Sequence, residues 1–206
     1  TNILNNINSS LLHFSKSTFR NGLKNYYYLM KIRKFTFKNV ISTNNTAFRI
    51  IQNSNLNSGM IISEVQKKGK GQYGRKWISY KGNLSVSFFF NLKKVNLSIQ
   101  QLTKINCLLV KKTINNFYKK KIVFKAPNDL LINGKKISGI LQETMINKNH
   151  KFLIVGIGIN LVKSPNIKNY PTTNLLEVMG KKIDYNLIAN LLRSIFEKNI
   201  LRYYKL

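Results

Sequence analysis

The dipeptide Asn133-Gly134 separates two short β-forming runs, Asp129–Ile132 and residues 136–141. A two-residue type I′ turn needs positive φ at both central positions, which Asn and Gly tolerate at little cost. The pair therefore predicts a tight hairpin and, with it, a sheet whose neighbouring strands run antiparallel. Residues 142–145 continue the return strand. Side chains alternate along a strand, so Lys135 and Lys136 are expected on opposite faces. One of them can then reach an interior site while the other stays in water.

The rest of the chain reads as strands with interspersed helices. An alternating run over residues 31–37 follows Met30 and predicts a first strand. Residues 44–51 predict a helix behind the N-cap candidates Ser42 and Thr43. Strands are expected at 60–65, 83–90, 122–125 and 152–160. In the second of these, Val86, Phe88 and Phe90 fall on one face, Ser85 and Ser87 on the other. Helical spacing joins Leu102, Ile105, Leu109 and Ile114 over residues 100–117, and Leu187, Leu191, Leu192 and Ile195 over residues 186–200. Residues 66–82 form a basic, glycine-rich loop. No internal repeat is present. The expected fold is α+β, with a mixed, largely antiparallel sheet and helices packed on it.

Composition narrows the chemistry. The 206 residues suit one or two domains, and 43% are hydrophobic, enough for a sizeable core. No apolar stretch approaches the roughly 18 residues of a membrane-spanning helix. One cysteine, Cys107, cannot form an internal disulfide, and its apolar neighbourhood predicts a buried structural thiol. His13 and His150 lie in polar surroundings, which disfavours a Cys–His or Ser–His–Asp set. The charge balance is 35 Lys and Arg against six acids: Glu64, Asp129, Glu143, Glu177, Asp184 and Glu197. So few carboxylates cannot supply most carboxylate-pair chemistries or all-carboxylate metal cages. Any reaction must lean on cations and backbone donors, which suits phosphates and carboxylates. The net charge of +29 has two readings, an acidic partner such as nucleic acid or a lysine-rich drift spread over the surface.

Three segments carry the chemistry. Gln66-Lys67-Lys68-Gly69-Lys70-Gly71-Gln72-Tyr73-Gly74-Arg75-Lys76-Trp77 alternates glycines with cations after a strand. Glycines let backbone N–H groups approach an anion, and Lys70 and Arg75 add charged donors. Neither the Walker pattern nor the Rossmann glycine spacing is present, and a solvated surface loop is the bland alternative. The second segment is Lys125-Ala126-Pro127-Asn128-Asp129 with the hairpin that follows it; Asp129 can serve there as simple turn chemistry. The third is Ile154-Val155-Gly156-Ile157-Gly158-Ile159-Asn160. Glycine weakens a strand, so its alternation there points to a close neighbour, either a helix or a ligand.

Taken together, these segments resemble the catalytic domain of biotin–protein ligases, also called biotin–[acetyl-CoA-carboxylase] ligases. The glycine-rich loop ending in Trp77, the Pro-Asn-Asp-Leu hairpin ending in Lys136 and Gly139, and the Gly-Ile-Gly-Ile-Asn strand occur in the family's order, after a matching Ser42-Thr43-Asn44. The resemblance covers residues 31–196. It implies a class II synthetase-like biotin/lipoate ligase catalytic domain. The implied activity forms biotinyl-5′-AMP from biotin and ATP, then transfers biotin to a lysine of a biotin carboxyl carrier protein. It implies Ser42, Thr43, Asn44, Gln66, Lys70, Gly71, Gln72 and Lys136 at biotin. It implies Arg75, Trp77, Asn128, Asp129, Lys136 and Asn160 at the nucleotide. Lys136, Lys70 and Arg75 would be catalytic, and Mg²⁺ would be bound mainly through phosphates. Ala126 stands where the family usually has Trp, and Gln72 where Arg is common.

The alternatives are a lipoate or octanoate ligase or transferase of the same fold, and a basic nucleic-acid-binding protein. Residues 1–29 read as an extension ahead of a start at Met30, with a transit-like segment or a small packed addition as the other readings. The catalytic domain is expected over residues 30–206. Neither a C-terminal β-barrel nor a DNA-binding domain is expected, and no DNA or membrane partner; a homodimer stays open. The expected location is the cytoplasm, or an organelle if residues 1–29 are a transit segment.

Overall fold

A computed structural model describes residues 31–92 and 97–204. The expectations for residues 1–29 lie outside them. Among the described residues nine strands occur: β1 (Arg33–Val40), β2 (Ser58–Gln66), β3 (Gly69–Lys70), β4 (Lys76–Trp77), β5 (Leu84–Asn91), β6 (Val123–Lys125), β7 (Asp129–Ile132), β8 (Lys135–Asn147) and β9 (His150–Ile159). The helices are α1 (Thr43–Gln52), α2 (Ile99–Asn115), α3 (Leu175–Met179) and α4 (Tyr185–Tyr204). Seven strands form one sheet in the order β1-β2-β5-β9-β8-β7-β6. Only β1 and β2 pair in parallel; every other neighbouring pair in this sheet is antiparallel.

The hairpin forms where its turn dipeptide stands, with φ of 49° at Asn133 and 75° at Gly134. A register shift between Leu130 and Leu131 brings Leu131 opposite Lys136. A second hairpin joins β8 to β9 through Lys148 and Asn149, at φ 47° and 64°. Its two residues also take positive φ, but it lacks a glycine, so Asn149 alone hints at it.

Strand β5 is buried along its whole length. Val86, Phe88 and Phe90 belong to the larger core beneath α2 and α4. There the Phe88 ring stacks on Phe196 at 4.2 Å between centroids. On the other face Phe89 joins Ala47, Ile51, Ile61, Phe152 and Ile154 in a smaller core under α1. The sheet is thus covered by α1 on one side and by α2 and α4 on the other. Ser98 and Gln101 close a capping box at the start of α2. Helix α3 is five residues long, too short to leave a periodic signal; Asn174 caps it and Gly180 ends it at φ 69°.

The expected loop over residues 66–82 is partly ordered. β3 and β4 pair as a small separate sheet around a 3-10 turn at Gln72–Gly74. Close approach makes this possible: a Cβ on Gly69 would collide with the Trp77 carbonyl.

Candidate active site

Helix α1 begins at the edge of a cavity. Ser42 is its N-cap in extended conformation, although its side chain makes no capping bond. The Thr43 amide and hydroxyl both donate to Gln66 Oε1, at 2.8 and 3.0 Å. The Ser87 hydroxyl, from β5, stands 2.7 Å from Thr43 Oγ1 and 2.5 Å from Asn44 Oδ1. It has one proton to share between them. Asn44 Nδ2 donates to Glu143 Oε2 at 2.6 Å, which fixes which way the amide points. This end of the cavity is a connected set of short polar side chains with defined orientation.

Two neighbours fill the glycine face of β9. A Cβ on Gly156 would stand 2.5 Å from Asn44 Oδ1, and one on Gly158 would overlap the Trp77 indole. The close neighbour anticipated there is therefore the first turn of α1 at one glycine and an aromatic ring from β4 at the other.

Lys136 lines the same cavity. Its ammonium lies 2.8 Å from Asp129 Oδ1, with both side chains largely buried. The rings of Trp77 and Tyr170 each sit 5.6 Å from it, within cation–π range. Its tail passes over Gly139, where a Cβ would stand 3.0 Å from Lys136 Cε. Lys135 points the other way and approaches Glu177 at 3.6 Å on the surface, as alternation along the strand requires. The Tyr170 hydroxyl donates to Asp129 Oδ2 at 2.5 Å. Burial above all, then the Asp129 bond and charge, raise the Tyr170 phenol well above its usual range against the opposing effect of Arg75, so it keeps its proton.

Two asparagines secure the frame. Asn128 Nδ2 donates to the Ile140 carbonyl at 2.7 Å, and Asn160 Nδ2 to that of Thr173 at 3.0 Å. The buried Asn160 Oδ1 has no hydrogen-bond donor among the described residues. At the tip of the β3–β4 hairpin the Gly71 amide donates to the Arg75 carbonyl at 2.7 Å, while Tyr73 and Gly74 take φ of 55° and 73°.

These walls enclose a cavity of about 420 Å³. Every residue named for the site from sequence lines it: Ser42, Thr43, Asn44, Gln66, Lys70, Gly71, Gln72, Arg75, Trp77, Asn128, Asp129, Lys136 and Asn160. The sequence did not single out Tyr170 and Thr172, which also line it. Nor did it assign a site role to Ser87 or Glu143, which orient Asn44. Tyr170 and Thr172 lie in an irregular polar segment with no periodicity to place it. Cys107 is fully buried, and burial chiefly, with Asp129 nearby, pushes its thiol up to about 12, which suits a structural role.

Comparison with known proteins gives the same picture. The sequence profile of the Biotin/lipoate A/B protein ligase family matches residues 37–160. The bifunctional ligase/repressor BirA of Bacillus subtilis is 31% identical over 165 residues, 76% of this chain and 50% of that protein. A biotin–[acetyl-CoA-carboxylase] ligase of Paracoccus denitrificans is 29% identical over 111 residues, 52% of this chain and 46% of that protein. The chain thus spans about half the length of these relatives. Among solved structures, the biotin protein ligase of Aquifex aeolicus in complex with biotin and ATP superposes with a TM-score of 0.72 at 28% identity, covering 84% of this chain and 72% of that one. The matched span takes in β2 through β9 and, with them, the hairpin, the glycine loop and the glycine strand that build the cavity. The chain accordingly belongs to the Biotin/lipoate A/B protein ligase family.

Proposed function

We propose that this chain is a biotin–protein ligase. In the first step the biotin carboxylate attacks the α-phosphate of ATP, giving biotinyl-5′-AMP and pyrophosphate. In the second a lysine amine of a biotin carboxyl carrier protein attacks the mixed anhydride, forming an amide and releasing AMP. The observation that carries this reading is the convergence of all thirteen resembling residues, Lys136 among them, on one cavity.

The residues divide the work by position. Thr43, Asn44 and Gln66 offer fixed donors and acceptors for the polar ureido ring. Trp77 offers an apolar wall beside Gly158 for the adenine. Lys136 would neutralise the carboxylate and α-phosphate as they meet, with Lys70 and Arg75 approaching from the glycine hairpin. No protein nucleophile is needed; orientation and charge neutralisation lower the barrier. Ordering of the hairpin over the adenylate would keep water away from the anhydride.

The donor set fits Mg²⁺ held chiefly by phosphate oxygens, where it would spread the phosphate charge. The described residues contain no group of three or more His, Cys, Asp or Glu able to hold a metal. Asp129 is the one carboxylate among the described residues lining the cavity, and it already serves Lys136 and Tyr170.

The test incubates the protein with MgATP, a biotin carboxyl carrier domain and either biotin or lipoate, and weighs the carrier. The expected result is a carrier heavier by one biotinyl group, with no lipoyl product. A lipoyl product alone, or an unmodified carrier in both arms, would reject the reading.

A further inference from the structure

We propose that Tyr170 is a positioning residue for Lys136, acting through Asp129; this rests on the reading of Lys136 as the lysine that meets the reacting anions. The two oxygens of one carboxylate divide between the two side chains. Oδ1 faces the Lys136 ammonium at 2.8 Å, and Oδ2 accepts from the Tyr170 hydroxyl at 2.5 Å. A carboxylate held at one oxygen cannot turn about its own axis, so the hydroxyl sets the direction in which Oδ1 points. Lys136 has a long, freely rotating tail, and that ion pair is what fixes its end.

The backbone ties the two residues together as well. The Lys136 amide donates to the Pro171 carbonyl at 2.9 Å, and the Thr173 amide donates to the Lys136 carbonyl at 2.9 Å. Thr172 and Lys136 form an isolated parallel bridge. The segment that carries Tyr170 is thus clamped to the residue that Tyr170 aims. Its ring is within reach of two cations, with Lys125 Nζ 4.4 Å and Lys136 Nζ 5.6 Å from the centroid. Ring and hydroxyl therefore do separable work. The ring attracts the ammonium, and the hydroxyl orients the carboxylate. Burial first, then Asp129, raises the phenol above its ordinary range, so the hydroxyl stays a donor at neutral pH.

Tyr170→Phe separates the two, since it keeps the ring and removes the donor. Biotin-dependent exchange of pyrophosphate into ATP is expected to lose about tenfold in kcat, the scale of one hydrogen bond to a charged group, with the KM for biotin within about twofold. Lys136 labelling by acetic anhydride, read by peptide mass spectrometry, is expected to rise severalfold in the same variant. In an Asp129→Asn background, removal of the hydroxyl should leave Lys136 labelling unchanged, because Tyr170 acts through the carboxylate. Unchanged kcat and unchanged labelling in Tyr170→Phe would overturn the proposal, as would a labelling change that persists without the carboxylate. Labelling needs no catalysis, so an unaltered protein with no exchange activity would reject the proposed function while labelling still decides the role of Tyr170.

Discussion

The Trp77 indole occupies the space that Gly158 leaves open on the central strand β9, so a residue on the glycine hairpin and one in the core of the sheet form a single wall of the cavity. Glycine is required there by close approach. A methyl at Gly158 would drive the indole out, and overpacking of this kind costs about 1–3 kcal/mol. Gly158→Ala is expected to lower the melting temperature by several degrees and to weaken ATP binding more than biotin binding. Calorimetric titration of each ligand checks the order.

Lys136→Ala removes a cation from the site and leaves the Asp129 carboxylate with the Tyr170 hydroxyl as its partner among the described residues. Loss of one preorganised donor to a developing anion typically lowers kcat by about 10²–10³. Pyrophosphate release should fall by at least that much while the circular dichroism spectrum stays that of the parent. Release at the parent rate would remove Lys136 from the chemistry.

Ser87→Ala deletes the buried donor shared by Thr43 and Asn44. Leaving buried acceptors unpaired costs about 1–3 kcal/mol. Biotin affinity is expected to drop about tenfold or more, and the KM for ATP to stay near its parent value. Equilibrium binding of labelled biotin measures the first, and initial rates the second.

Gly71→Ala tests the hairpin. The backbone there has ordinary φ, but a Cβ would press to 3.3 Å against the Arg75 carbonyl. The strain falls on an exposed tip, so stability should change by no more than about 0.5 kcal/mol. Closure over the adenylate should suffer, and the intermediate should leak. Release of biotinyl-5′-AMP into solution, followed by chromatography, is expected to rise relative to carrier biotinylation.

Alkali should unfold this protein through buried acids that stay protonated. Cys107 is raised from 9.0 to about 12, first by burial and then by Asp129, and Tyr185 from 10.0 to about 12, first by burial and then by Glu64. A raised folded pKa means that the folded state binds more protons than the unfolded chain once the ordinary pKa is passed. Stability from these groups is then full below about pH 9 and is lost progressively towards about pH 12. Denaturant midpoints measured at several pH values in that window should fall more slowly in Cys107→Ala than in the parent.

Local chemistry was the part of this protein written in the order of its residues. Asn133-Gly134 specified its turn because tolerance of positive φ is a local preference of those two residue types. The alternating Val86, Phe88 and Phe90 specified a core face because period two is a local geometry. The family resemblance of four short segments, Ser42-Thr43-Asn44 and the three motifs, named the thirteen cavity residues because each segment is contiguous. Tertiary structure decided what no local rule reaches. It set the parallel pairing of β1 with β2 and a turn at Lys148-Asn149 made without glycine. It chose what stands over Gly156 and Gly158, one neighbour from α1 and another from β4. It brought Tyr170 to Asp129 across 41 positions of chain. A side chain's partner depends on where the backbone returns in space, and that return is set by packing of the whole sheet, not by the residues beside it.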